Sequence, residues 1–218
     1  MASWAFLDGV PEEDRNRVLR ASRRRRFARR EVLFHEGDLG DTVQLIDRGR
    51  VAVRTTTPLG DVVTLNVLGP GRAVGELALL DPASRRTATV MALEPTETLA
   101  IHGQAFADLR RDHPSVDAFL VNLLALEVRR LNDLLVEALY LPADCRVVRR
   151  LLDLAGLYGD GRPGTEIPLT QEDLASLAGT SRGTVNRVLG ECGDEGSVAV
   201  TRGRVTLVDP EALARRAG

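Results

Sequence analysis

The sequence predicts an α+β chain with an N-terminal antiparallel β-roll, one long helix, and a small C-terminal helical domain closed by a β-hairpin. Three observations predict it. Short β-rich runs separated by Gly, Asp and Pro crowd the first half of the chain. From Val116 to Leu141 there is no Gly or Pro, and that stretch, flanked by Pro114 and Pro142, is roughly 39 Å long at helical pitch. Beyond Pro142 the apolar residues return to helical spacing. Residues 1–114, 115–141 and 142–218 are accordingly read as a first domain, a connecting helix and a second domain.

The 218 residues are 44% hydrophobic with a formal net charge of −2. That is enough to build buried cores, and no run of about eighteen apolar residues suggests a membrane span. Met1 to Val10 has neither the basic start nor the apolar stretch of a signal peptide. Cys145 and Cys192 lack CxxC spacing and fit a reducing cytoplasm, the expected location. His35, His102 and His113 are scattered, so no metal site is expected. All 29 basic residues are Arg, which favours forked contacts to phosphates and guanine edges. From Pro142 to Gly218 ten Arg face eleven acids, so any nucleic-acid binding must come from placement rather than bulk charge. No Walker loop, metal-ligand cluster or GxSxG motif points to an enzyme.

In chain order, Pro11 to Ala21 reads as a short amphipathic helix with Val18 and Leu19 inward. Arg23 to Arg26, with Arg29 and Arg30, reads as solvated surface, an auxiliary nucleic-acid contact being the alternative. Val32–His35, Val43–Ile46, Val51–Thr56, Val62–Leu68, Thr87–Leu93 and Thr98–His102 read as strands, and Gln104–Arg111 as a short helix. In the long helix, Val121, Leu124, Val128, Leu131, Leu135 and Ala138 alternate spacings of three and four, the seam of a two-stranded coiled coil. Phe119, Leu120, Leu123 and Leu126 form a second stripe. A helix apolar on two faces needs two partners, here its own domain and a second copy of the chain. Burial inside one monomer is the alternative. Arg146–Leu157 is the next helix, and Gly159 to Gly164 an exposed turn.

Two stretches carry chemistry. In the run from Ala73 to Leu80, Gly75 lets backbone approach a ligand, and the helical turn after it offers amides to an anion. Arg86, within Arg85-Arg86-Thr87-Ala88, completes a phosphate clamp, and Glu76 suits the hydroxyl of an attached ribose. Together these describe a nucleotide pocket; a Glu76–Arg86 ion pair on a loop is the alternative. In the second stretch, Leu169 to Gly190, Thr170 caps a helix containing Leu174 and Leu177. Ala175 lets two helices cross closely, Gly179 suits a turn, and Ser181 caps a second helix with Val185, Val188 and Leu189 inward. Arg182, Gly183, Asn186 and Arg187 remain on the outer face, where a helix-turn-helix meets base edges. Arg suits guanine and Asn adenine. A helical hairpin for protein contact is the alternative. Ser197–Thr201 and Val205–Val208, joined at Arg202-Gly203-Arg204, read as a two-stranded wing.

On these residues the chain resembles the CRP/FNR family of bacterial transcription regulators, from about Phe6 to Leu213. The motifs are Glu36-Gly37-Asp38, Gly75-Glu76-Leu77, Arg86-Thr87-Ala88, the long helix and the winged helix-turn-helix. The resemblance implies a homodimer whose cyclic-nucleotide-binding β-rolls govern how two recognition helices meet double-stranded DNA at an inverted-repeat operator. RNA polymerase is a further implied partner. It also implies that Gly75, Glu76, Leu77, Arg86 and Thr87 line a ribose-phosphate site, with Asn132 near the base and cyclic AMP the leading effector. Arg182 and Arg187 match DNA-reading positions, with Thr170, Ser181, Gly183 and Asn186 beside them.

The chain also departs from the family. Leu131 stands where cyclic-AMP receptors commonly carry Thr, which removes an adenine contact. Gly183 replaces the usual Glu, so the usual half-site is not expected. Gly190, Cys192, Gly193 and Ser197 fall where strong helix formers and Leu are expected, predicting a weakened helix end and looser wing packing. The cysteine cluster of the iron–sulfur branch is missing, and no haem ligand pair stands in the sensor. Two rival readings are a regulator controlled by its abundance alone, and a nucleotide-binding signalling protein whose degraded C-terminal domain no longer binds DNA.

Overall fold

The computed structural model describes residues 4, 7–77 and 85–217. It divides into two compact units, Met1–Thr55 with Asn66–Arg130, and Thr56–Leu65 with Leu131–Gly218. The division falls inside the long helix rather than at its ends.

In the first unit α1 (Glu12–Ala21) precedes β1 (Arg23–Phe27), β2 (Val32–Phe34), β3 (Thr42–Arg48), β4 (Val51–Thr56), β5 (Val62–Leu68), β6 (Ala73–Val74), β7 (Thr89–Ala92) and β8 (Thr96–His102). The helices α2 (Gly103–Asp112) and α3 (Pro114–Tyr140) follow, α3 passing into the second unit after Arg130. The strands form two four-stranded sheets, ordered β1-β8-β3-β6 and β2-β7-β4-β5. Alternation along β3 shows how one strand serves two cores. Ile46 joins Phe27, Leu33, Val51, Val74, Val90 and Ala92 inside the roll. Val43 and Leu45 turn the other way, onto Phe106, Leu109, Val116 and Leu120 of the helices.

The arginine run is itself an edge strand, paired residue by residue with β8. Arg24 bonds Asp47 and Glu97 at 2.9 and 2.8 Å, and Arg26 bonds Glu97 at 2.9 Å. A row of arginines has little strand signal alone; carboxylates on the neighbouring strands supply the order. On α3, Val116 and Leu120 are buried, and Phe119 and Leu123 pack against them. Leu126, expected in the same stripe, is 63% exposed. It lies about one turn beyond Leu123, past the last residue of α3 in that core.

The second unit contains α4 (Ala143–Tyr158), β9 (Glu166–Ile167), α5 (Gln171–Ala178), α6 (Arg182–Asp194), β10 (Val198–Thr201), β11 (Arg204–Leu207) and α7 (Pro210–Arg216). Its core draws Val147, Val148 and Leu151 from α4, Leu174 and Ala175 from α5, and Val185, Val188 and Leu189 from α6. Arg146 satisfies three carbonyls that helix ends leave open, donating to Leu141, Ala178 and Gly179 at 2.8, 3.0 and 3.0 Å. Thr56–Leu65, from the end of β4 into β5, also belongs here: Thr64 N–H donates to Ser176 Oγ at 2.8 Å.

The glycines expected to weaken the end of α6 do not interrupt it. The helix runs unbroken to Asp194 through Gly190 and Gly193, and Cys192 and Ser197 are buried. The Ser197 N–H and hydroxyl both donate to the Cys192 carbonyl at 2.9 Å. Ser197 therefore closes the helix end that the glycines disfavour by about 1 kcal/mol each.

Candidate functional site

Gly75 follows β6 with φ +85°, a left-handed conformation that side chains disfavour. A Cβ there would stand 2.3 Å from Nη1 of Arg86, so glycine is what lets the guanidinium in. Arg86 is only 4% exposed. Its Nη1 donates to Gly75 O at 2.9 Å, and its Nη2 to Thr42 O at 2.8 Å and Thr42 Oγ1 at 3.2 Å. The group lies 4.2 Å from the centroid of the Phe34 ring. Asp41 approaches no closer than 3.9 Å and is itself largely exposed. Arg86 Nε is buried and has no hydrogen-bond partner among the described residues. Burial lowers the Arg86 pKa, while Asp41, Asp38 and Glu76 pull it upward. A buried cation held mainly by carbonyl dipoles is one that an anion would neutralise.

Glu76 does not pair with Arg86, whose donors go to carbonyls instead. Burial raises the Glu76 pKa, and Glu127 on α3 adds to the rise, against Arg72 and Arg86. A carboxyl in such a place accepts a sugar hydroxyl more readily than it tolerates a phosphate. Leu77 is 41% exposed, and Thr87 is also exposed. The helical turn expected at Ala78–Leu80 lies outside the described residues. Asn132 is exposed on α3. The fold thus brings Gly75, Glu76 and Arg86 together with Thr42, Phe34 and Glu127. Sequence reasoning missed those last three, which come from β3, β2 and α3 and carry no motif.

In the second unit Thr170 and Asp173 form a reciprocal capping box at the start of α5. Gly179 ends that helix at φ +57°, and Ser181 Oγ accepts the Thr184 N–H at 3.1 Å to begin α6. Arg182, Gly183, Asn186 and Arg187 are all exposed. Arg187 is nevertheless held on two sides: Nη1 donates to Glu191 Oε1 at 2.7 Å and Nη2 to Asp144 Oδ1 at 2.5 Å. Those bonds, to Asp144 first, raise its pKa. Arg182 lines a groove of about 350 Å³ with Thr170, Gln171, Arg202 and Arg204. Arg182 and Arg202 make the groove basic, while Arg204 bonds Glu166 at 2.7 Å and Glu172 also lines it. Gln171 and the wing arginines were not singled out from sequence; Arg202-Gly203-Arg204 was legible only as a turn.

Comparison with known proteins gives two matching families. Residues 24–113 match the cyclic nucleotide-binding domain and residues 145–216 the Crp-like helix-turn-helix domain. The chain is 36% identical to the cyclic AMP receptor protein of Thermus thermophilus over 210 residues, 95% of this chain and 94% of that one. It is 32% identical over 194 residues to a CRP-like cAMP-activated global transcriptional regulator of Mycobacterium tuberculosis, covering 88% and 86% of the two chains. The solved structure of a CRP-family transcriptional regulator from Thermus thermophilus superposes with a TM-score of 0.75 at 29% identity, over 89% of this chain and 96% of that one.

Proposed function

The chain belongs to the CRP family of cyclic-nucleotide-binding, DNA-binding transcription regulators, and from that premise we propose that it acts as a cytoplasmic homodimer whose DNA binding is controlled by cyclic AMP in the β-roll. The observation that carries this reading is Arg86, a buried guanidinium set beside the positive-φ Gly75. Arg86 and the backbone at Gly75 would hold the cyclic phosphate, Glu76 the ribose hydroxyl, and Leu77 and Thr87 the remaining edges. The relative from Mycobacterium tuberculosis is described as cAMP-activated, which favours this effector.

Dimerisation is supported by the seam on α3. Val121, Val128, Leu131 and Leu135 are 65%, 58%, 48% and 58% exposed, so they remain uncovered by their own chain. A row of apolar residues at coiled-coil spacing is covered most simply by a second copy. Two α6 helices in such a dimer would enter successive major grooves of an inverted repeat, roughly 34 Å apart. RNA polymerase would then be the partner that converts DNA binding into transcriptional control, and no catalytic role is assigned. A second reading, a different cyclic nucleotide, is favoured by Leu131, whose side chain offers no hydroxyl to adenine.

Calorimetry with cyclic AMP, cyclic GMP and cyclic di-GMP tests the proposal. Saturable binding of cyclic AMP with one site per chain is expected. Tighter binding of another member of the panel would move the assignment to that nucleotide, and heat from none of them would refute ligand control.

A further inference from the structure

We propose that Glu137, with Arg149 and Arg150, locks the joint between α3 and α4, and that this lock sets the distance between the two half-sites the dimer accepts. Glu137 is thereby a positioning residue, acting through the placement of α6 relative to the seam. The proposal rests on the reading of the chain as a dimer on an inverted repeat, and deepens it by naming what makes the spacing of that repeat specific.

The compact unit that holds α6 begins at Leu131, inside α3, and not at Pro142. The seam residues Leu131 and Leu135 and the whole of α6 therefore belong to one unit. In a two-fold dimer closed along that seam, the separation of the two α6 helices is settled within this unit. Only Leu141 and Pro142 stand between Tyr140, the last residue of α3, and Ala143, the first of α4. Proline fixes its own φ, which leaves three soft dihedrals in the connection. Rotation about any of them swings the helix-turn-helix about the seam, so a dimer that is strict about spacing needs the joint held.

Side chains across the joint hold it. Arg146, Arg149 and Arg150 recur three and four positions apart, so they share one face of α4. Glu137, in the last turn of α3, accepts from Arg149 Nη1 on one oxygen at 3.0 Å and from Arg150 Nη2 on the other at 2.5 Å. A carboxylate that bridges two guanidiniums through separate oxygens fixes rotation as well as distance. The side chains of Glu137 and Arg150 are each 14% exposed, so salt and solvent screen this bridge less than a surface pair. Asp153 meets the other terminal nitrogen of Arg150 at 3.2 Å, so two carboxylates face two guanidiniums. Arg149 Nε donates onward to the Ala217 carbonyl at 3.1 Å, which ties in the end of α7. Arg146 makes the second link, from the Leu141 carbonyl to those of Ala178 and Gly179 in the turn that leads to α6. The end of α3 thus reaches the helix-turn-helix through polar links of fixed length.

The test uses the full-length protein with saturating cyclic AMP and the inverted repeat it selects from random DNA. That duplex is remade with its half-sites one and two base pairs closer together and farther apart. Each added base pair moves a half-site by about 3.4 Å and turns it by about 35° around the duplex, so a locked dimer must discriminate against it. Glu137→Gln, which keeps the size and loses the charge, should lose about fivefold of that discrimination. Its affinity for a duplex carrying a single half-site should not change. Arg150→Ala should lose as much, and Arg150→Lys, which keeps the charge, less. Light scattering and thermal unfolding of each variant separate loss of the joint from loss of the dimer or the fold. Undiminished spacing discrimination in both Glu137→Gln and Arg150→Ala would overturn the lock and leave the DNA reading intact. An equal loss at every spacing and on the single half-site would also overturn it, since the cluster would then serve the fold alone. A monomeric Glu137→Gln protein would place Glu137 in the dimer interface instead, against the proposal. If the unaltered protein selects no inverted repeat, the dimeric DNA reading fails and the proposal with it; if it selects one but binds all spacings alike, the proposal fails alone.

Discussion

Arg86 and Arg187 are the same side chain in opposite settings. Arg86 is almost wholly buried, held by the carbonyls of Gly75 and Thr42, and burial lowers its pKa. Arg187 is half exposed, held by the full charges of Asp144 and Glu191, and its pKa is raised. A cation surrounded by dipoles still lacks a counter-charge, so an anion that reaches it gains both a partner and relief of the burial penalty. A cation already neutralised gains little from another anion, but it holds its donors in a fixed plane. The Arg86 site is thus suited to receive an anion, whereas Arg187 is already neutralised by Asp144 and Glu191.

Removing the dimer seam should separate the two regions most drastically. Leu131→Glu puts a carboxylate from each copy into an apolar interface, at about 3 kcal/mol or more per buried charge. Light scattering should report a monomer with much weaker operator binding, while cyclic-nucleotide binding through Arg86 persists. A dimer that survives this change would mean the exposed face of α3 is covered some other way.

Arg86→Ala should come next. Losing a buried, charge-assisted contact costs about 2–5 kcal/mol of ligand affinity. It also leaves the carbonyls of Gly75 and Thr42 without that donor, for about 1–3 kcal/mol of stability each if they stay dry. Calorimetry and thermal unfolding on the same variant read both losses. Unchanged nucleotide affinity in a folded Arg86→Ala protein would remove the basis for the pocket.

The smallest effect belongs to Glu76. Its folded-state pKa lies above the ordinary value of 4.5, chiefly through burial. Below that ordinary value both states are protonated and the group is silent. As pH rises from there toward the raised folded pKa, the unfolded chain loses the proton first and the folded state loses stability. Glu76→Gln should therefore flatten this decline and leave the unliganded protein somewhat more stable at neutral pH, measured by unfolding across a pH series. An equal or steeper decline in the variant would place the burial penalty elsewhere.

Much of this was legible in the chain itself. The long helix, the helix-turn-helix with Thr170 and Ser181 at its caps, and the pairing of Gly75 with Arg86 all carry local signals: spacing, cap chemistry and a glycine where backbone must come close. What escaped depends on residues distant in sequence. The strand at Arg23–Phe27 exists because β8 pairs with it and Asp47 and Glu97 meet its arginines. Thr42 and Phe34 reach Arg86 only after the sheets close. Ser197 reads as a poor wing residue until its two bonds to the Cys192 carbonyl are seen. Asp144, forty-three positions from Arg187, has no motif that links them.

The central claim is that a nucleotide held by Arg86 governs how α6 meets DNA. It is tested most directly by measuring binding to the selected inverted repeat at fixed salt, with and without saturating cyclic nucleotide. The account predicts that the effector tightens binding by about 5- to 150-fold, and that Arg86→Ala abolishes the gain while leaving basal binding in place. Equal affinity with and without every nucleotide of the panel would contradict it.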